Sequence, residues 1–339
     1  MKKTLYVISN EKISNSNKVY YCDNLDMKST PERLSEDFNI KVIARKSNII
    51  RAQKINLKSI NTFSNIFSYI NEIIKSSKDK DSKFLIISLS PYTFLAGIFL
   101  KFFGKKPFIY LRSNGYEEYK IILGLLGKYI YHFMFVVSSK ISIFISCRKY
   151  ILMGKNGHVV YPSQLDNLWH NNHIEPTIDE TKLIYVGRIK KEKGIFSLLN
   201  LIKNQSKVIL TIVGASVEDA KLINQQNVNI INIVKDKKEL INLYDKSHIM
   251  ILPSYTEGYP MVILESLSRL RPIIVFKEIE HVIKDRKGIF VSNRDSQSLF
   301  EKINYIMNNY KLIQENMKSN RLPDNDSFIK KLKEILSRN

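Results

Sequence analysis

Short apolar runs recur along this chain, each closed by a polar turn and followed by a stretch whose apolar positions fall three and four apart. Runs this short and so bounded read as buried strands, and the spacing after them as amphipathic helices. In the first half the runs lie at 5–9, 40–44, 84–89, 107–111, 141–146 and 158–161, with helical spacing at 31–38, 62–77, 92–104 and 117–137. The polar run up to Lys18 reads as the loop after the first strand. Ser90 and Pro91 are an N-cap and a first helical residue, and Gly104 ends that helix. Residues 163–181 break the pattern with polar side chains and Pro176, and read as a linker. The alternation then resumes, with strands at 182–186, 208–213, 228–233 and 249–252 and helices from about Lys193, from Asp236 and from Pro260. Strands alternating with helices predict an α/β fold with parallel sheets covered on both faces. Two such repeats predict two Rossmann-like domains facing a cleft, at residues 1–162 and 182–325, with 326–339 a C-terminal helix packing back on the first. Ligands of such sheets bind where the strands end at their carboxyl edge.

One of those edges carries chemistry. After the strand 249–252 come Pro253, Ser254, Glu257, Gly258 and Pro260, with Glu257 just outside the helix start and Glu265 about five residues inside the helix, roughly 7 to 8 Å along its axis. The free amides of a helix start attract an anion such as a diphosphate, and two carboxylates accept hydrogen bonds from hydroxyls. The plainer alternative is a helix with one capping and one exposed glutamate. After the strand 182–186 stand Gly187 and Arg188, then Lys193 and Gly194 where the next helix opens. A solvated basic turn explains these alone; together with the glutamates they describe cations for phosphates beside carboxylates for sugar hydroxyls.

The segments YVGRIKKEKG and KELINLYDKSHIMILPSYTEGYPMVILES resemble the nucleotide-sugar-binding domain of the retaining glycosyltransferases of family 4, which have the two-domain GT-B fold. The family's E-x7-E motif stands here as Glu257 to Glu265. The resemblance implies that Arg188 and Lys193, beside Gly187, hold the donor diphosphate. It implies further that Glu257 meets the donor sugar, that Glu265 meets the ribose, and that the backbone of Gly258, Tyr259 and Pro260 faces sugar or phosphate. The base is expected on loop backbone near Val234 and Lys235. It also implies a metal-independent reaction with no cofactor, the two cations neutralising the leaving group as an ion otherwise would. Two departures stand out. Where many members have His-Gly at a strand end of the first domain, this chain has Ser113, Asn114 and Gly115, so Asn114 is the expected counterpart of the active-site histidine, able to hydrogen-bond but not to act as acid or base. Leu270, Arg271 and Pro272 replace the small-residue and glycine turn usual after the second glutamate, which reads as altered helix-end packing.

Composition adds the partners. The chain has 339 residues, 44% hydrophobic and 25% charged, with a formal net charge of +21. Such a surplus points to an anionic partner. The expected ones are a UDP- or GDP-sugar donor, a glycan or lipid-linked acceptor and an anionic membrane surface, with no nucleic acid. The apolar stretches 94–106 and 121–155, laced with lysines, read first as core helices and second as a face lying on lipid. Two cysteines without partner spacing fit a cytoplasmic protein. The D-x-D pairs at 79–81 and 324–326 and the pair His170 and His173 carry too little spacing information to predict a metal. Two competing classes are a GT-B-like sugar-nucleotide epimerase, for which Asn114 supplies neither acid nor base, and a basic nucleic-acid-binding protein, which leaves the two glutamates unexplained.

Overall fold

The computed structural model describes residues 2–177, 180–203 and 205–338 and divides into two compact units, Met1–Pro162 with Asp326–Asn339, and Ser163–Asn325. In the first unit the parallel strands lie in the order Ile60–Phe63, Asn39–Ser47, Thr4–Ser16, Lys83–Ile87, Phe108–Leu111, Ile143–Ser146, Gly157–Val159. The first strand in sequence is thus central, as in a doubly wound sheet. Leu5, Val7, Leu85 and Phe108 form its core with Phe328, Ile329, Leu332 and Leu336 of the helix Asn325–Arg338.

Three departures from the apolar pattern mark the first unit. The polar stretch after residue 9 is not a loop: the strand runs on to Ser16, shifts register between Ile8 and Lys12, and turns through Asn17 and Lys18 into the antiparallel strand Val19–Cys22. Ile13 and Ser14 are buried there, the one apolar signal in a polar run. The helix expected at 31–38 begins earlier, at Leu25, and holds Pro31 in its interior. The third departure is the apolar stretch 117–137, which is not one buried helix. Gly124 (φ 65, ψ −152) breaks Gly115–Ile141 in two, and most of the residues around the break are exposed.

The second unit is a six-stranded parallel sheet in the order Val228–Asn232, Val208–Ala215, Thr181–Val186, Ile249–Leu252, Ile273–Phe276, Ile289–Ser292. By position in the sequence this is 3-2-1-4-5-6, and the order reverses between Thr181–Val186 and Ile249–Leu252. That switch point is where the helices after the two strands diverge to opposite faces and leave a crevice at the carboxyl edge. The stretch expected as a linker is built into this unit: Leu165 and Trp169 lie in its core, and Asp166 caps the short helix Asn167–His170. Ile178 and Asp179 of that stretch lie outside the described residues.

Candidate active site

The two segments with predicted chemistry flank the switch point. On one side, the strand Thr181–Val186 delivers Gly187 and Arg188. Tyr185, buried below them, donates its hydroxyl to the Arg188 carbonyl at 2.8 Å and so fixes the loop backbone. Burial, and then the negative charge of Glu257, push the Tyr185 phenol well above its usual range, so it stays a donor. Arg188 itself is exposed. A short 3-10 turn, Lys191–Lys193, then leads through Gly194 into the helix Ile195–Ile202. Gly194 has φ +67, and a Cβ there would lie 2.0 Å from the Pro253 carbonyl oxygen, so only glycine lets the two sides of the crevice close up this tightly.

On the other side, the strand Ile249–Leu252 ends at Pro253 and Ser254. Pro260, with φ −72 and ψ 112, is the N-cap and not the first helical residue, and the helix is Met261–Ser268. Glu257 therefore sits in the loop ahead of the helix start. Its carboxylate accepts from Lys193 Nζ at 2.7 Å and from the Ser254 hydroxyl at 2.6 Å, both on Oε1. His281 Nε2 lies 3.0 Å from the Glu257 carbonyl oxygen. Cation and carboxylate, expected to hold different parts of one ligand, thus hold each other here. Glu265 lies inside the helix, buried, and accepts from the Tyr244 hydroxyl at 2.9 Å. That phenol is held well above its usual range by burial and then by the Glu265 charge.

Gly258 and Tyr259 are half-buried between Glu257 and the helix, and Val234 is half-buried in the loop that follows the strand Val228–Asn232. The Tyr259 ring is flanked by the Lys284 ammonium at 5.7 Å and the Arg286 guanidinium at 5.8 Å from its centroid. Asn114 belongs to the first unit, where its side-chain oxygen accepts from the Tyr116 amide at 3.2 Å and caps the helix Gly115–Ile141. Its side-chain oxygen is thus engaged in capping, a role the comparison with histidine did not suggest.

Four residues of this region were given no site role in the sequence. Ser254 had a signal, because S-x-x-E is a capping-box spacing. Tyr244 and His281 meet the glutamates only through the tertiary fold. The fourth, Arg294, places its guanidinium 4.1 Å from the Tyr255 ring centroid, donates to the Pro253 carbonyl at 2.9 Å and pairs with Glu278 at 2.7 Å, bracing the loop that carries Glu257. That hydrogen bond holds the Glu278 carboxyl below its usual range.

The helix-end departure also has a structural account. Leu270 takes the left-handed conformation (φ 54) that glycine usually supplies at a helix end. Arg269 and Arg271 on either side are buried and share Asp245. Arg269 donates to both Asp245 carboxylate oxygens, at 2.9 and 2.7 Å, and to the carbonyls of Trp169, Asn171 and Asn172. Arg271 donates to the carbonyls of Tyr244, Asp245 and Ile174. His173 Nε2 lies 2.7 Å from the Ser268 carbonyl oxygen in the same cluster. The turn is held by a network and not by a glycine.

Residues 170–321 match the family of glycosyl transferases group 1. The chain is 26% identical over 290 residues, 75% of each sequence, to the capsular polysaccharide biosynthesis glycosyltransferase CapM of Staphylococcus aureus. Among solved structures it is similar to Anabaena Alr3699/HepE in complex with UDP and glucose, with a TM-score of 0.70 at 12% identity over 99% of this chain and 100% of that one. It is also similar to WaaG, a glycosyltransferase involved in lipopolysaccharide biosynthesis, with a TM-score of 0.67 at 12% identity over 98% and 100%. Residues 170–321 are therefore a glycosyl transferases group 1 domain, and the chain is a glycosyltransferase with the GT-B fold.

Proposed function

We propose that this glycosyltransferase is a retaining, metal-independent hexosyltransferase of family 4. It takes a UDP- or GDP-sugar as donor and extends a glycan or lipid-linked glycan in cell-surface polysaccharide synthesis, at the cytoplasmic face of a membrane. The observation that carries the reading is the pairing of Lys193 with Glu257 at the switch point, with Glu265 buried behind them on Tyr244. The donor diphosphate takes Lys193 from Glu257 and recruits the exposed Arg188; the freed Glu257 accepts from donor-sugar hydroxyls, and Glu265 from the ribose. Two cations on the diphosphate stabilise the charge that develops on the leaving group, the part a metal ion plays elsewhere, so the reaction needs no metal or cofactor. The Val234 backbone receives the base. The first unit receives the acceptor beside Asn114. That residue offers a hydrogen bond and no proton transfer, so the acceptor proton goes to the departing phosphate on the face where it leaves, and the anomeric configuration is kept.

The similarity to CapM supports the polysaccharide reading. The test is transfer from a labelled donor to a lipid-linked glycan acceptor in the presence of a chelator, with the product examined by proton NMR. Retention of the donor's anomeric configuration at undiminished rate is the expected result; an inverted anomer, or loss of turnover on chelation, contradicts it.

A further inference from the structure

The helix Gly115–Ile141 is long and apolar enough to cross a membrane by length and composition, yet only 28% of its most apolar window is buried. Its geometry explains the discrepancy. Beyond the break at Gly124 the second limb folds back along the first. Tyr116 and His132 are hydrogen-bonded at 2.9 Å, and the rings of Tyr116 and Tyr131 lie 4.9 Å apart. A Cβ on Gly127 would lie 2.1 Å from the Tyr119 carbonyl oxygen, and one on Gly115 2.0 Å from the Tyr131 ring. The pairs 115 with 131 and 119 with 127 share one midpoint, residue 123, which defines an antiparallel helical hairpin with its tip at Leu123 and Gly124. The limbs are about 13 and 25 Å long, each short of the roughly 30 Å of a bilayer's hydrocarbon core.

What the hairpin holds at its tip is an unbroken aliphatic cluster. Ile121, Ile122, Leu123, Leu125 and Leu126 are all exposed, Ile122 at 71% and Leu125 at 69%. Lys120 and Lys128, also exposed, follow directly behind the tip on the two limbs, and the acidic pair Glu117 and Glu118 lies nearer the root. Aliphatic tip, then cations, then protein body is the order of an element that dips into the acyl chains and leaves ammonium groups among anionic headgroups. The surplus of +21 over the whole chain acts in the same sense. The hairpin starts at Asn114, so it shares its root with the loop assigned to the acceptor.

We infer that residues 115–135 form a membrane-docking finger whose tip at 121–126 inserts into the interface of an anionic bilayer. The inference rests on the membrane part of the proposed function and is independent of its donor chemistry. The full chain is mixed with vesicles of phosphatidylcholine containing about a third phosphatidylglycerol, and bound protein is sedimented at low and high salt. The expected result is strong binding that Ile122→Ser with Leu125→Ser weakens by about tenfold or more. Lys120→Glu with Lys128→Glu should weaken it on anionic vesicles and flatten its salt dependence. All four side chains are exposed, so the variants fold, and their unchanged response to nucleotide in a thermal-shift measurement confirms it. A Leu125→Trp variant, set against a single buried native tryptophan, Trp169, should shift its emission to the blue on vesicle addition. Equal vesicle binding by the serine variant, or a tryptophan that vesicles leave unshifted, overturns the inference. So does a dimer that the serine variant dissolves while vesicles are ignored, because the tip would then be covered by a second copy. Vesicle binding without any nucleotide response breaks the donor reading and leaves the finger standing.

Discussion

Asp245 is the residue whose neutralisation should do most damage away from the candidate site. Two buried guanidiniums, Arg269 and Arg271, lie 2.7 and 3.6 Å from its carboxylate oxygens, and side-chain exposures of 1%, 1% and 3% leave no water to replace it. Asp245→Asn keeps the shape and removes the charge. Each Arg retains backbone carbonyls, but the pair becomes a buried double positive charge. Breaking a buried pair by removing one partner costs about 3 to 5 kcal/mol, consistent with about 4 kcal/mol for unit charges 4 Å apart at an effective dielectric near 20. For a domain the size of the second unit, 1 kcal/mol shifts Tm by about 2 to 4 °C, so a fall of roughly 6 to 20 °C follows. Differential scanning calorimetry of the full chain reads it, and only the transition of the second unit should move. Arg269→Lys should lower the same transition by several degrees, because an ammonium cannot span both carboxylate oxygens and the carbonyls of Trp169, Asn171 and Asn172. A fall in Tm under about 2 °C for Asp245→Asn would refute the reasoning, since it would mean that the network carries no net charge requirement.

Lys193→Met should leave Tm nearly unchanged, because its partly exposed ion pair is worth about 1 kcal/mol or less and Ser254 still holds Glu257. Nucleotide diphosphate affinity should nevertheless fall about tenfold or more by isothermal titration, because a charge-assisted contact is lost. Gly194→Ala should lower Tm by several degrees and weaken nucleotide binding, since φ +67 and the Pro253 carbonyl both reject a Cβ; an unshifted melting curve contradicts it. The stability that Tyr244 and Tyr310 contribute should be full below about pH 10 and decline above it. Tyr244 and Tyr310 keep their protons in the folded state, Tyr310 up to about 12, while the unfolded chain gives them up near 10. Raised folded values are lost as stability with rising pH, so Tyr310→Phe should flatten the alkaline slope of Tm against pH, and an unchanged slope would count against that assignment.

Much of both sheets is legible in the sequence because strands such as 84–87, 108–111 and 249–252 are short, fully buried apolar runs, whereas the partly exposed strands Ile60–Phe63 and Ile289–Ser292 are not among the predicted runs. What escapes is whatever depends on register or tertiary partners. The extension of the first strand to Ser16 is polar on every residue but Ile13, and there it pairs with Arg45–Ser47 and with the antiparallel strand Val19–Cys22 in place of Lys83–Ile87. The start of the helix at Leu25 is hidden by Pro31, which promises a first turn and sits in the interior. The hairpin at 115–135 has the composition of a core helix, and only Gly115, Gly124 and Gly127 encode the fold-back. In the site, Glu257, Glu265, Arg188 and Lys193 stand out by charge at strand ends. Tyr244 and Arg294 do not, since a tyrosine within a helix and an arginine in a loop acquire their partners only when the sheet brings distant segments together. The turn at Leu270 is the clearest case of a rule met by other means, with two buried arginines holding a conformation that glycine adopts unaided.

The most direct test of the central claim, a nucleotide-sugar site built on Glu257 and Glu265, is calorimetric titration of UDP, GDP and ADP into the wild-type chain and into Glu265→Gln. The substitution keeps the side chain's size and removes a buried carboxylate acceptor. A uridine or guanosine diphosphate should bind, and Glu265→Gln should weaken it by about tenfold, the loss of a charged hydrogen bond to the ribose. Binding of no nucleotide by the wild type, or equal affinity in the variant, would contradict it.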